Sequence, residues 1–183
     1  NKQFRIFWIP GVFSDLALIT YFTVHGWLAL QVSDSAFWVG ATSGAGGLSL
    51  TMFSVFGGVL VDRFGRRSLV LVGRWIRFVI ALGLVALIMT ENIALWHVLL
   101  AAFGEGLAVL FLMPAMMALT LDVAGRGKLL SATAARFAGM TVAGIIAPLA
   151  SGAIVNSAGI EWACGMIALG FSAAGGFQLI FSL

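Results

Sequence analysis

The chain has 183 residues, 61% of them hydrophobic and only 9% charged. Its mean hydropathy is +1.09, whereas a soluble domain carries about a quarter charged residues, so an ordinary water-soluble domain is excluded. The net charge of +3 reflects where basic residues sit between apolar runs, and gives a nucleic-acid partner no support.

A spanning helix needs roughly 20 largely apolar residues. The sequence predicts six, over residues 6–31, 36–61, 68–90, 93–121, 129–155 and 160–183, which makes an all-α membrane protein with nothing left over for a soluble domain. A transmembrane barrel would need strands alternating polar and apolar residues over about 10 positions, but runs such as 78–89 are apolar on every side. The first run is too long for a signal-peptide core and lacks a small-residue cleavage site, so it reads as a retained span. It carries Asp15, about nine residues in, and His25 near the outer interface. The chain opens on Asn1 and closes on Leu183 inside an apolar run; we expect a piece of a longer protein.

In the second span, Gly40 and Gly44 suggest close helix packing. Gly44-Ala45-Gly46-Gly47 lies within the same apolar run, a poor context for a phosphate loop. The span ends in Gly58-Val59-Leu60-Val61-Asp62-Arg63-Phe64-Gly65-Arg66-Arg67, a charged turn punctuated by glycine. Gly58 and Gly65 permit close approach and a turn that a Cβ would obstruct. Asp62 at a helix C-terminus opposes its own helix dipole, so we expect it to serve a partner.

Arg74 and Arg77 follow in the third span and, with Arg136 in the fifth, lie toward the cytoplasmic end, where long side chains can snorkel to headgroups. The fourth span holds Glu105 about twelve residues in, and His97 near its outer end. At 1.5 Å per residue, Glu105 and Asp15 approach the bilayer middle from opposite sides, where an ionisable group is a functional candidate by default. Either could take a proton on one side and release it on the other, with Arg136 a further candidate; the competing reading is a carboxyl neutralised by Arg136, Arg77 or a hydroxyl, or a first span shifted so that Asp15 nears the headgroups.

In the fifth span Ala135, Gly139, Ala143, Ala147 and Ser151 recur every four residues, flanked by Gly144, Pro148 and Gly152, a small-residue face for close helix packing. Ser151-Gly152-Ala153-Ile154-Val155-Asn156-Ser157-Ala158-Gly159 is a faint, uncharged copy of the segment from Gly57 to Gly65. It suggests that spans one to three and four to six form a 3+3 inverted repeat, since three spans reverse the topology. Cys164 stands alone, which reads as small-residue packing, and neither a metal nor a cofactor is indicated. No nucleophile–base or metal constellation indicates an enzyme.

Lys2 and Arg5 precede the first span, Arg63, Arg66 and Arg67 fill the second connection, and Arg126 and Lys128 fill the fourth, while the other connections lack Lys and Arg. This alternation predicts a cytoplasmic N-terminus. Trp8, Trp27, Trp38, Trp96 and Trp162 lie near predicted ends, as interfacial aromatics do.

The motif Gly58-x-Leu60-x-Asp62-Arg63-x-Gly65-Arg66-Arg67 resembles the loop signature between helices 2 and 3 of the major facilitator superfamily. The whole chain is similar to the N-terminal six-helix half of that twelve-helix fold, closest to the bacterial enterobactin-exporter-like efflux branch, and Pro114 to Val123 looks like that branch's end of helix 4. The resemblance implies an inner-membrane, proton-coupled exporter of a small organic molecule working by alternating access, with the lipid bilayer and a missing C-terminal half as partners. It implies that Asp62 faces that second half as a gate latch, and that Arg66 meets Asp122. The small face resembles the family's antiporter motif, although Ala143, Ala147 and Ser151 replace glycines. The usual arginine shortly before Gly104 and Gly106 is also absent, which leaves the coupling route open. Phe22, Phe103 and Met113 would suit a cavity for an amphipathic substrate. A non-transporting membrane scaffold or an importer of the same fold are the alternatives.

Overall fold

The computed structural model describes residues 2–180, with side chains throughout except at 2–7, 56–62, 64, 67, 123, 126 and 174–180. Six long helices account for nearly all of it: α1 (Lys2–Ser33), α2 (Ala36–Phe64), α3 (Arg66–Met89), α4 (Leu95–Ala124), α5 (Leu129–Ala158) and α6 (Ile160–Ile180). A single 3₁₀ turn, Arg126–Lys128, bridges α4 and α5. Long apolar runs favour helix because helices satisfy every backbone N–H and C=O internally, and hydrocarbon offers no water to do so.

Four stretches among the described residues are long and apolar enough to cross a bilayer: Trp8–Ser33, Ser68–Met89, Leu95–Asp122 and Leu129–Ala158; the described apolar part of α6 is shorter, Ile160–Ala173. The expectation was six, but the apolar segment 56–62 of α2 lies among residues whose side chains are not described. Leu130 and Leu149 expose 84% and 71% of their surface. Large aliphatic side chains so widely exposed fit a hydrocarbon solvent rather than water.

The predicted turn over 62–67 contracts to one residue, Gly65, whose φ of 77° separates α2 from α3. A side chain would be strained in that left-handed conformation, and glycine is not. The close reversal also places Arg66 at the first turn of α3.

Helix α1 is central, packing against α2, α4, α5 and α6, while α4 packs on α2 and α3, and α3 on α6. One apolar core joins α1, α3, α4 and α6 through Tyr21, Leu28, Leu84, Val98, Ile167 and Phe171. A second core, Leu69 and Val70 against Ala108, Leu112, Ala115 and Met116, fixes α3 on α4. Between these two cores lies the polar interior.

Two packing expectations change. The close approach of α2 is made at Gly46, not at Gly40 or Gly44, which have nothing within 4 Å of a would-be Cβ. A Cβ at Gly106 of α4 would overlap both the Ser49 hydroxyl and the Gly46 carbonyl, so that crossing brings the two helix backbones almost together. On α5 the buried stripe is Ala132, Gly139, Ala143, Ala147 and Ser151. Ala135 is half-buried, with its carbonyl accepting a hydrogen bond from Trp8 Nε1 at 3.2 Å, and Gly144 is exposed, while Pro148 and Gly152 are half-buried. Gly144 therefore takes no part in close packing, with nothing within 4 Å of a would-be Cβ.

Candidate functional site

Helix α3 carries a stripe of residues turned into the bundle: Val70, Gly73, Arg74, Arg77, Ala81 and Leu84. The spacing of three and four residues keeps them on one face, while Val72, Trp75, Val79 and Leu82 face outward. Arg74 and Arg77 are only 2% and 5% exposed. The expectation that they snorkel to headgroups is corrected: their stems lie on the inward stripe, so their guanidinium groups are delivered to the interior.

Arg77 meets Glu105 of α4, with Nε and Oε1 2.7 Å apart and both side chains buried. The N–H is not aligned for a hydrogen bond, and neither Glu105 oxygen has a hydrogen-bond partner, so the contact is an ion pair held by charge. Phe171 of α6 covers the arginine, its ring centroid 5.5 Å from Cζ, an arrangement that adds cation–π attraction. A buried pair of this kind survives because removing one partner leaves an uncompensated charge in a low dielectric.

Asp15 of α1 lies mainly in the field of Arg136 on α5, then of Arg77 and Arg74. Asp15 and Arg136 share a cavity of about 10 Å³ with Trp8, Gly11 and Thr120, enough for about one water molecule. Among the described residues, the interior thus holds two acids and three arginines on four different helices.

A larger cavity of about 220 Å³ opens between α1, α2 and α4, lined by Tyr21, Phe22, His25, Thr42, Ser43 and Glu105 among others. The Tyr21 and His25 rings lie 4.9 Å apart. Both side chains are buried, and the Tyr21 hydroxyl and His25 Nε2 have no hydrogen-bond partner. His25, expected near the outer interface, is buried in the bundle on the same face as Ala17, Tyr21 and Leu28. Tyr21 was not singled out from the sequence, although its four-residue spacing from His25 is visible there. Phe22 lines this cavity, whereas Phe103 packs edge-on against Phe53 with centroids 6.4 Å apart and Met113 is exposed.

At the end of the bundle bearing the charged turn, Arg66 Nη1 donates to both oxygens of Asp122, at 2.6 and 2.7 Å. Both side chains are nearly half exposed. Arg63 is exposed; the side chains at Asp62 and Arg67, and the surroundings of Gly58, lie outside the described residues.

A model of the family described as transmembrane secretion effector, within the major facilitator superfamily, matches residues 1–179. The enterobactin exporter EntS of Salmonella typhi is 25% identical over 140 residues, 76% of this chain and 34% of the relative. EntS of Citrobacter koseri is 24% identical over 156 residues, 85% and 34%, and EntS of Escherichia coli O127:H6 is 25% identical over 142 residues, 77% and 34%. The matched part is thus about a third of these relatives' length. With its apolar helices, its charged interior and a family match along nearly its whole length, the chain belongs to the transmembrane secretion effector family of the major facilitator superfamily, a family of membrane transporters rather than enzymes.

Proposed function

We propose that the protein is a secondary active exporter of a small organic molecule, coupled to inward proton movement and working by alternating access. The observation that carries this reading is the buried Arg77–Glu105 pair, with Glu105 on the wall of the cavity between α1, α2 and α4, together with the half-buried Asp15 and Arg136 that share a smaller cavity. Ionisable groups inside a membrane are costly to keep and mark ion or substrate pathways. Glu105 is the principal coupling candidate: it is buried against Arg77, and a proton arriving at the carboxyl would weaken the pair and release the arginine. Such a swap offers two arrangements of the same helices, as alternating access requires.

In this reading six helices form one half of a twelve-helix transporter, itself an inverted pair of three-helix units. The relatives' greater length supports a second half, against which Asp62 would act as a latch. The Arg66–Asp122 pair would brace the same end of the bundle. The basic residues of alternate connections support a cytoplasmic N-terminus, and the bacterial relatives support an inner membrane. Because the relatives are enterobactin exporters, enterobactin is the first solute to try, followed by drug-like amphiphiles.

The test is uptake of these solutes into inside-out vesicles bearing the full-length protein, with an imposed pH gradient. Uptake that a protonophore abolishes is expected. Uptake that ignores the gradient would remove proton coupling, and no uptake of any solute would remove export. Asp62→Asn with unchanged transport and unchanged conformational populations would remove the latch.

A further inference from the structure

The cavity between α1, α2 and α4 carries a recognisable demand for a ligand. Tyr21, His25 and Glu105 are 3%, 6% and 2% exposed, and the Tyr21 hydroxyl, His25 Nε2 and both Glu105 oxygens have no hydrogen-bond partner. Buried polar atoms are ordinarily paired, so such a cluster around one space needs explaining. Thr42 and Ser43, on the α2 side, already donate their hydroxyls to the Val39 carbonyl at 2.9 and 3.2 Å. The unmet hydrogen-bonding capacity therefore lies on α1 and α4.

We propose that this cavity binds an uncharged, flat, ring-sized group that donates hydrogen bonds, with Tyr21, His25 and Glu105 as its specificity-determining residues. Size supports a ring: the cavity measures about 220 Å³, and an apolar cavity of about 150 Å³ already admits benzene. Shape does too, since the walls include the rings of Tyr21 and Phe22 and the side-chain-free backbone at Gly26, Gly46 and Gly47.

Charge sets the class. The Glu105 carboxylate is already matched by Arg77 at 2.7 Å. A cation would have to compete with a buried arginine, and an anion would meet the carboxylate, so a neutral group enters at least cost. A carboxylate only accepts hydrogen bonds, a neutral imidazole keeps one acceptor, and a phenol can do either. The wall thus has more acceptors than donors, and its complement is a hydroxyl or N–H on the ring.

This deepens the transporter reading by naming the chemistry of the solute, but binding is measured without transport. The full-length protein in detergent micelles is titrated with 2-naphthol, naphthalene, 2-naphthylmethylammonium and 2-naphthoate, followed by saturation-transfer NMR with empty micelles subtracted. Saturable binding of 2-naphthol is expected, about tenfold tighter than naphthalene and tighter than either ion. Tyr21→Phe and His25→Leu should each weaken 2-naphthol by about three- to tenfold, one lost hydrogen bond apiece, and leave naphthalene unchanged. Gly47→Leu should fill the space and remove both, because a Cβ there meets nothing within 4 Å; an unchanged melting temperature shows that the fold is kept. Equal binding of 2-naphthol and naphthalene, preference for an ion, or no saturable binding above empty micelles, leaving water alone in the cavity, would each overturn the proposal. A protein that binds 2-naphthol but moves no solute in vesicles keeps this site and loses the transporter reading; the reverse result loses only the site.

Discussion

Glu105 and Arg77 form an ion pair more costly to break than to replace. Both side chains are almost fully buried, with Nε and Oε1 2.7 Å apart, so removing one charge strands the other. Glu105→Gln alone, or Arg77→Met alone, should destabilise the protein by about 3–5 kcal/mol, and the double variant should recover most of that loss. Unfolding of each variant in mixed detergent measures the difference. Arg66 and Asp122 behave differently because water reaches both: Arg66→Ala should cost less than about 1 kcal/mol. At this scale the sequence showed how deep each charge lies along its helix, and therefore that Asp15 and Glu105 deserved notice. It also held the inward stripe from Val70 to Leu84, on which both arginines lie. Depth alone suggested snorkelling; the face of the helix decides otherwise. Tyr21 was passed over, and His25 was read only by its depth, for the same reason, since their surroundings depend on a cavity to which three helices contribute.

Between elements, the crossing of α2 and α4 tolerates no side chain at Gly106. A Cβ there would collide with Ser49 and with the backbone at Gly46, so Gly106→Val should force the helices apart and cost about 1–3 kcal/mol, the usual range for overpacking. Gly144→Val, at an exposed position of α5 with open space around it, should stay within about 0.5 kcal/mol. Thermal unfolding of the pair compares the two sites directly. The helices themselves were legible, because apolar runs broken by polar turns leave few alternatives, and the predicted ranges lie within a few residues of the observed ends. Partner choice was not. The α5 repeat of Gly139, Ala143, Ala147 and Ser151 does lie on a buried stripe, whereas the similar pair Gly40 and Gly44 does not mark the tight crossing. Small residues four apart permit close packing without naming what packs.

For the whole molecule, the basic residues of alternate connections predict that neighbouring loops lie on opposite sides of the membrane. With Cys164 replaced by Ala, a cysteine at Asp34 should react with an impermeant thiol reagent added outside intact cells, and one at Arg63 should react only after permeabilisation. The same pattern at both positions would contradict the topology. Asp34 and Arg63 bracket α2, so the pair reports a single crossing. The central claim concerns coupling rather than placement, and it is tested most directly by proton counterflow. Proteoliposomes holding the full-length protein and a lumenal pH dye are given a pH gradient and then an exported solute. The account predicts that solute dissipates the gradient faster than the background leak, and that Glu105→Gln abolishes this acceleration while leaving solute binding measurable. Solute movement with no accompanying proton flux in the wild-type protein would contradict it.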